Sequence, residues 1–470
     1  MMSFVTRVTL LALIPRLALA LFTRDLGIGL DDMFQYDMLA RSLVAGNDYR
    51  WYAEEDVRFI KPYLTLQRPA DYDTRGVLSS HRAPGYPAFL ALVYAAAGVG
   101  PHRFFAARLA QAILGALLVP LSWALARRAG FGDRAARWAA VAIAIFPLLV
   151  VYPLALASEN IFIPLLTLSV LLLLQASESG RLRDYAAAGF ILGLTALTRS
   201  IISGFVVIAA AWAWRAAAHR SDGLRRCAVL ILCFLLVTLP WAMRNTLLHG
   251  RPTWIESSLG YNLYLGYHPK STGTFQFGIS LDLLPIIDDA ERNERGMAAF
   301  GEFVHADPGR IPLLMLSKAG YLWGLDRRAL IYFYSNGFFG PWPPWLLGLV
   351  LALDAGPLIL LAPAAAIGLI CGKMERRKAL MAVLLAYYTG IHMLTLAEPR
   401  FHVPLFPLIS VLAAYALVGG AWPASTRRQR WPAGLLIAAL VVNWALEIAR
   451  DWDTLAALFG PEGFKLRLPY

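Results

Sequence analysis

Charge is scarce in this sequence. Only 16% of the 470 residues are Asp, Glu, Lys or Arg, against about a quarter in a soluble domain. Hydrophobic residues make up 58%, which excludes intrinsic disorder. A single soluble core stops growing near about 250–300 residues, so length and composition together exclude one globular domain. Cysteine is nearly missing. Cys227, Cys233 and Cys371 each lie in or beside an apolar stretch, so a disulfide scaffold and a cysteine zinc site are unsupported. No strong internal repeat or low-complexity tract is visible, and no soluble domain is expected at either end. What remains is an all-α polytopic membrane protein.

Apolar runs of roughly 17–25 residues, the length that crosses a bilayer, are read near 5–22, 104–126, 136–154, 160–177, 185–198, 201–217, 227–247, 345–371, 379–397, 401–421 and 432–448. That predicts a bundle of about 11 transmembrane helices. The first run ends in Ala18-Leu19-Ala20, which resembles a signal-peptide cleavage site. Arg16 interrupts it, so it reads as a retained anchor helix. Five connections are basic: Arg127, Arg128, Arg134 and Arg137; Arg181 and Arg183; Arg215, Arg220, Arg225 and Arg226; Lys373, Arg376, Arg377 and Lys378; Arg427, Arg428 and Arg430. Counted along the spans they share one side, which the positive-inside rule makes cytoplasmic. Topology thus explains the net charge of +12, and no nucleic-acid partner is implied. The expected units are an N-terminal membrane module, 1–247, with an outer loop at 23–103; a second outer loop, 248–344; C-terminal membrane helices, 345–448; and a tail, 449–470.

Loops as long as 23–103 and 248–344 are usually functional. The first is expected to hold a juxtamembrane helix over 32–45 with an apolar stripe of Phe34, Met38, Leu39 and Leu43, and a short apolar helix over 85–99 lying at the interface. The second is expected to hold helices over 288–305 and 309–324, broken at Asp307-Pro308-Gly309. Ionisable groups at membrane depth cost about 2.5–3.5 kcal/mol or more and mark functional sites by default. Mapped onto the topology, Asp31, Asp32, His81, Arg82, Glu159, Arg199, Arg244, Asn245, Glu398 and Arg400 all fall at the outer face. Each has a plainer role when taken alone. Asp31-Asp32 reads as an N-cap pair, the arginines as headgroup-snorkelling side chains, and His81 as a surface histidine. Glu159, flanked by apolar runs, has no such cheap role. The shared face is what turns the set into a site.

These residues, in this order, resemble the GT-C glycosyltransferases that use polyprenyl-phosphate sugars, the glycosyltransferase family 39-like group of protein mannosyltransferases and aminoarabinose transferases. The resemblance spans most of residues 20–420. It rests on Asp31-Asp32-Met33-Phe34-Gln35-Tyr36, Arg82-Ala83-Pro84-Gly85-Tyr86-Pro87, Ser158-Glu159-Asn160, Leu197-Thr198-Arg199, Pro240-Trp241-Ala242-Met243-Arg244-Asn245, Gly260-Tyr261-Asn262-Leu263 and Glu398-Pro399-Arg400-Phe401-His402-Val403-Pro404. The family's first-loop acidic pair is often Asp-Glu, whereas here it is Asp-Asp. The family's acid commonly stands four residues before a Tyr, which selects Asp32 with Tyr36 and leaves Asp31 open.

The resemblance implies a GT-C-type bundle and an inverting transfer of sugar from a polyprenyl-phosphate donor to a lipid, glycan or protein acceptor at the outer face of the membrane. The many Ala and Arg residues and the lack of cysteines in the outer loops point to a bacterial inner membrane, with the site facing the periplasm. Asp32, and after it Asp31, would take the acceptor's proton. Arg244 and Arg400 lead as ligands of the donor phosphate, followed by Arg199, Arg82, Lys270 and His268, because the guanidinium fork suits phosphate. Glu159, Tyr36, His81, Asn245 and Asn262 would support the site or meet the acceptor. No metal is required, and no ligand spacing identifies one; a divalent ion at Glu159 stays open. The alternative from another class is a transporter or flippase of lipid-linked sugars. It predicts ionisable residues deep in the membrane and a repeat between halves, and only Asp354 and His392 fall mid-span. A non-catalytic scaffold, or a ligase-type enzyme lacking the first-loop acids, are further readings.

Overall fold

The computed structural model describes residues 2–337 and 340–467. Positions 338–339 of the second long loop and 468–470 of the tail lie outside the described residues.

Each of the eleven apolar runs is helical. Among the described residues, seven helices are long and apolar enough to cross a membrane: Phe4–Phe22, Arg103–Arg128, Glu159–Ser179, Arg220–His249, Pro344–Ile370, Pro399–Val418 and Arg427–Arg450. The run at 136–154 is a bent pair, Gly132–Ile145 and Pro147–Leu154, with 56° between its halves. Counted as one span, it makes eight. The other three expected spans fall on Leu182–Thr198, Phe205–Arg215 and Arg376–Leu394. The first two are shorter, and the third opens on Arg376-Arg377-Lys378. The predicted eleven are therefore eleven helical segments, of which length and apolarity alone support eight crossings.

The bend has a local cause. Pro147 carries no N–H, so the helix before it loses a hydrogen bond and ends. The carbonyls of Ile143 and Ala144 are taken instead by the guanidinium of Arg16, at 3.3 and 3.2 Å, which also bonds the Ala12 carbonyl of its own helix at 2.6 Å. Arg16 is completely buried. The residue that breaks the apolar pattern of the first helix is thus the one that ties this helix to the bundle. Facing outward, the long helices present apolar side chains such as Leu232, Leu236, Leu247, Leu360, Leu435 and Val442, as expected where the surrounding solvent is lipid.

The five basic connections meet at one end of the bundle. Arg128 pairs with Glu178 at 2.6 Å, and Arg377 bonds the Arg128 carbonyl at 2.9 Å. Trp212 donates to the Arg376 carbonyl, and Gln429 to that of Gly372. The two long loops pack on each other at the opposite end. A two-stranded antiparallel ribbon, Arg50–Trp51 with Val77–Leu78, organises the first loop. Its Trp51 indole donates to the Ile287 carbonyl of the second loop at 3.1 Å, and Gln67 bridges to Ile286. A buried carboxylate, Asp289, accepts from the backbone N–H of Ser80 and from the hydroxyls of Ser79, Ser80 and Ser257, joining both loops.

The helices expected inside these loops are present at Asp32–Val44, Gly85–Ala97, Asp289–Ala306 and Ile311–Leu322. Asp288 caps the third, and the Pro308–Arg310 turn separates it from the fourth. Gly85–Ala97 buries Tyr86, Leu90 and Tyr94. Four shorter helices, Glu54–Ile60, Leu259–Tyr267, Phe277–Ser280 and Arg328–Ser335, complete the loops among the described residues.

Candidate functional site

The first-loop helix settles which of the two aspartates caps. Asp31 lies outside the helix, and its carboxylate accepts from the N–H of Met33 at 2.8 Å, a normal N-cap arrangement. Asp32 is the first helical residue and is left free to face elsewhere. Residues three and four positions on share its face, so Asp32, Gln35 and Tyr36 form one row. All three meet Arg82, which arrives from the far end of the same loop. The guanidinium NH2 of Arg82 bonds one Asp32 oxygen, its Nε donates to the Gln35 side-chain oxygen at 2.8 Å, and the group lies 5.5 Å over the Tyr36 ring.

A close backbone approach brings Arg82 to this position. Gly85 packs on the end of helix Leu182–Thr198 so tightly that a Cβ there would stand 2.8 Å from both the Leu197 carbonyl oxygen and the Thr198 hydroxyl. The next residue, Arg199, ends that helix and pairs with Glu159, the first residue of Glu159–Ser179. A third arginine comes from the C-terminal part of the chain. Arg400 donates through NH2 to the second Asp32 oxygen at 3.3 Å and through Nε to Glu398 at 2.8 Å. The ring of Phe401 lies under both Arg199 and Arg400, at 5.2 and 5.5 Å. Three acids and three arginines from five separate segments thus form one cluster.

The electrostatics follow from this geometry. Partial burial pushes the Asp32 carboxyl up, but Arg82, Arg400 and Arg199 outweigh it and hold it down at about 2. Burial works against the charge of Arg82 and Arg199 as well, yet Asp32 and Glu159 respectively keep both above the ordinary guanidinium value. Burial raises the phenol of Tyr36. The site as it stands is a fixed, ionised acid between two cations, open enough to be reached: Asp32 is 33% exposed and Arg400 31%. Among the described residues no cluster of three or more His, Cys, Asp or Glu is arranged to hold a metal ion.

The other expected site residues stand apart from this network. Arg244 donates to the Ser79 carbonyl at 2.6 Å and lies over the rings of Trp241 and Tyr49. Tyr49 in turn donates to the Arg82 carbonyl at 3.0 Å, so Arg244 braces the segment that carries Arg82. Asn245 bonds the carbonyls of Trp254 and Ile255, and Asn262 reaches Ser258 within its own helix. The Lys270 N–H bonds the His268 ring at 3.2 Å, and Arg310 holds the His268 carbonyl. His81 is buried between Trp51 and Tyr261, with ring centroids at 5.1 and 5.8 Å. Burial and the nearby Arg292 hold it well below its ordinary value and keep it neutral.

Gln35 and Phe401 were not among the expected site residues. Their signal in the sequence was position alone: Gln35 stands three residues after Asp32, and Phe401 directly after Arg400.

Residues 81–243, roughly a third of the chain, match the family model described as dolichyl-phosphate-mannose-protein mannosyltransferase. That stretch holds Arg82, Glu159 and Arg199 but neither Asp32 nor Arg400. Among curated proteins, none has a significantly similar sequence. Solved structures resemble the whole chain. The archaeal oligosaccharyltransferase AglB from Archaeoglobus fulgidus, in complex with an inhibitory peptide and a dolichol-phosphate, is similar at 14% identity and a TM-score of 0.51, over 99% of this chain and 60% of that one. The apo form of the Archaeoglobus fulgidus enzyme gives 15%, 0.52, 99% and 60%. ArnT from Cupriavidus metallidurans bound to undecaprenyl phosphate gives 16% and 0.49, over 99% and 74%. The chain therefore spans about 60% of the length of the oligosaccharyltransferase whose fold it shares. The chain thus shares the fold of the archaeal oligosaccharyltransferase, and over residues 81–243 it carries the sequence pattern of the dolichyl-phosphate-mannose-protein mannosyltransferases.

Proposed function

We propose that this protein is an inverting glycosyltransferase that moves a sugar from a polyprenyl-phosphate donor to an acceptor hydroxyl or amine on the non-cytoplasmic face of a membrane. One observation carries the reading: Asp32, at the start of a juxtamembrane helix, is held by Arg82 and Arg400 from opposite ends of the chain. A cluster that joins an accessible carboxylate to cations at the end of an apolar bundle matches what a lipid-linked phosphate sugar requires. The dolichol-phosphate held by the archaeal oligosaccharyltransferase, whose fold this chain shares, supports the same class of donor.

In the proposed step the acceptor heteroatom attacks the anomeric carbon. The bond from that carbon to the phosphate oxygen breaks, and the polyprenyl phosphate leaves with the electron pair. Asp32 takes the acceptor's proton. Arg82 and Arg400 stabilise the phosphate through directed N–H groups, with Arg199 and Glu159 fixing the wall behind them. All eleven helices would cross the membrane, with the basic connections on the cytoplasmic side. In a bacterium this is the inner membrane, with the site facing the periplasm.

The test is release of undecaprenyl phosphate from undecaprenyl-phosphate sugars by the purified protein in the presence of cell-envelope acceptors. Asp32→Asn should insert and fold normally yet lower turnover by at least about 10²-fold, the low end for removal of a general base. Undiminished turnover in that variant contradicts the assignment of the base. Sugar movement across the membrane with no release of the lipid phosphate points instead to a flippase.

A further inference from the structure

Arg82 and Arg400 hold Asp32 in the same way. Each gives its NH2 to one Asp32 oxygen and its Nε to a second acceptor, Gln35 for Arg82 and Glu398 for Arg400. The second acceptors are deep: Gln35 is 9% exposed and Glu398 3%. Asp32, at 33%, is the accessible acceptor of the three. Each guanidinium can therefore exchange its Asp32 bond for another anion while its Nε anchor stays in place. Phosphate presents the required acceptors, two oxygens spaced to meet NH groups from two arginines.

The unliganded network also creates a difficulty that such an exchange removes. Held at about 2, Asp32 is too weak a base to accept a proton efficiently near neutral pH, where the best catalytic base has a pKa close to the working pH. A phosphate that takes both NH2 groups removes the bonds favouring the ionised carboxylate. It also adds a like charge beside it, and both changes raise proton affinity.

We infer that Asp32 occupies the donor-phosphate position on Arg82 and Arg400 in the empty site, and that the phosphate displaces it, so that donor binding and release of the base are one event. This rests on the donor class proposed above. It makes Asp32 a competitor of the phosphate as well as the base, and Gln35 and Glu398 positioning residues that keep the guanidiniums aimed through the exchange. The pair Arg199–Glu159, with Glu159 at 4% exposure, takes no part in it.

The experiment measures the affinity of purified full-length protein in lipid nanodiscs for undecaprenyl phosphate. Asp32→Asn removes the competing charge and should bind at least about tenfold more tightly than the natural protein, although transfer is lost. Glu398→Gln loosens the anchor of Arg400 and should bind more weakly. These opposite signs distinguish competition from a merely structural role. Binding by Asp32→Asn that is equal to or weaker than that of the natural protein overturns the inference. So does tighter binding by Glu398→Gln, which serves as the deciding measurement if Asp32→Asn fails to fold. If the natural protein does not bind undecaprenyl phosphate at all, the donor class itself is wrong, and the inference falls with it.

Discussion

Asp31 and Asp32 are chemically the same side chain one residue apart, yet they have different work. Successive helical residues point about 100° apart, and only the residue just outside the helix can cap it. Asp31 takes the cap, so Asp32 meets the arginines. A second residue shows what burial does without a hydrogen-bond acceptor. Lys318, on helix Ile311–Leu322, is fully buried, and its ammonium lies 3.4 Å over the Tyr267 ring with no hydrogen-bond acceptor among the described residues. Burial, with Arg310 nearby, lowers it from an ordinary 10.5 to about 7. Between those values the unfolded chain binds a proton that the folded one lacks, so stability rises with pH across that window. Below about 7 the charged form is buried in full. Lys318→Met should therefore stabilise the protein by about 1–3 kcal/mol at pH 6, and by clearly less at pH 9. Thermal unfolding at the two pH values checks this; an equal gain at both, or a loss at pH 6, would mean that the ammonium is well accommodated.

At the level of elements, the site depends on how closely one helix start meets one helix end. Gly85 lets the Arg82 segment touch the Leu197 carbonyl, and the two arginines at that junction reach Asp32 and Glu159. Gly85→Ala places a methyl group 2.8 Å from backbone and side-chain oxygens, closer than van der Waals contact allows, so the segment must shift. Overpacking of this kind typically costs about 1–3 kcal/mol. Activity should fall further than stability, because a displacement of about 1 Å can cost about 10²-fold in rate. Measuring turnover and melting temperature together separates the two effects; a variant with natural turnover would show that Arg82 needs no such approach. Much of this level was legible beforehand. Helix starts and breaks at Asp31-Asp32, Asp288 and Asp307-Pro308-Gly309 are local chemistry, and local chemistry is written in adjacent residues. The ribbon Arg50–Trp51 with Val77–Leu78 was not legible, because its two strands are two residues each and carry no periodicity.

At the scale of the whole molecule, counting apolar runs gives each ionisable group an address at one end of the bundle or the other. That was enough to bring Asp32, Arg82, Glu159, Arg199 and Arg400 to one face. It could not say which arginine meets which acid, because that depends on the rotation of each helix about its axis and on the path of the loops. Arg244 and Arg400 share the same address, yet Arg244 turns to the Ser79 carbonyl and Arg400 to Asp32. Arg16 shows the same limit from the other side. It reads as an interruption of an apolar run, and only the bend at Pro147 reveals the two carbonyls that it satisfies. The bundle is thus held by arginines on orphaned carbonyls, while its loop-covered end gathers arginines on carboxylates.

The central claim is that this end of the bundle is built around a lipid-linked phosphate. It is tested most directly by a cryo-electron microscopy structure of the protein with undecaprenyl phosphate in nanodiscs. The phosphate should lie within hydrogen-bond distance of Arg82 and Arg400, with Asp32 released from both and still beside it. A phosphate seated on Arg244 or Lys270, with the bonds of Asp32 to Arg82 and Arg400 intact, would contradict it.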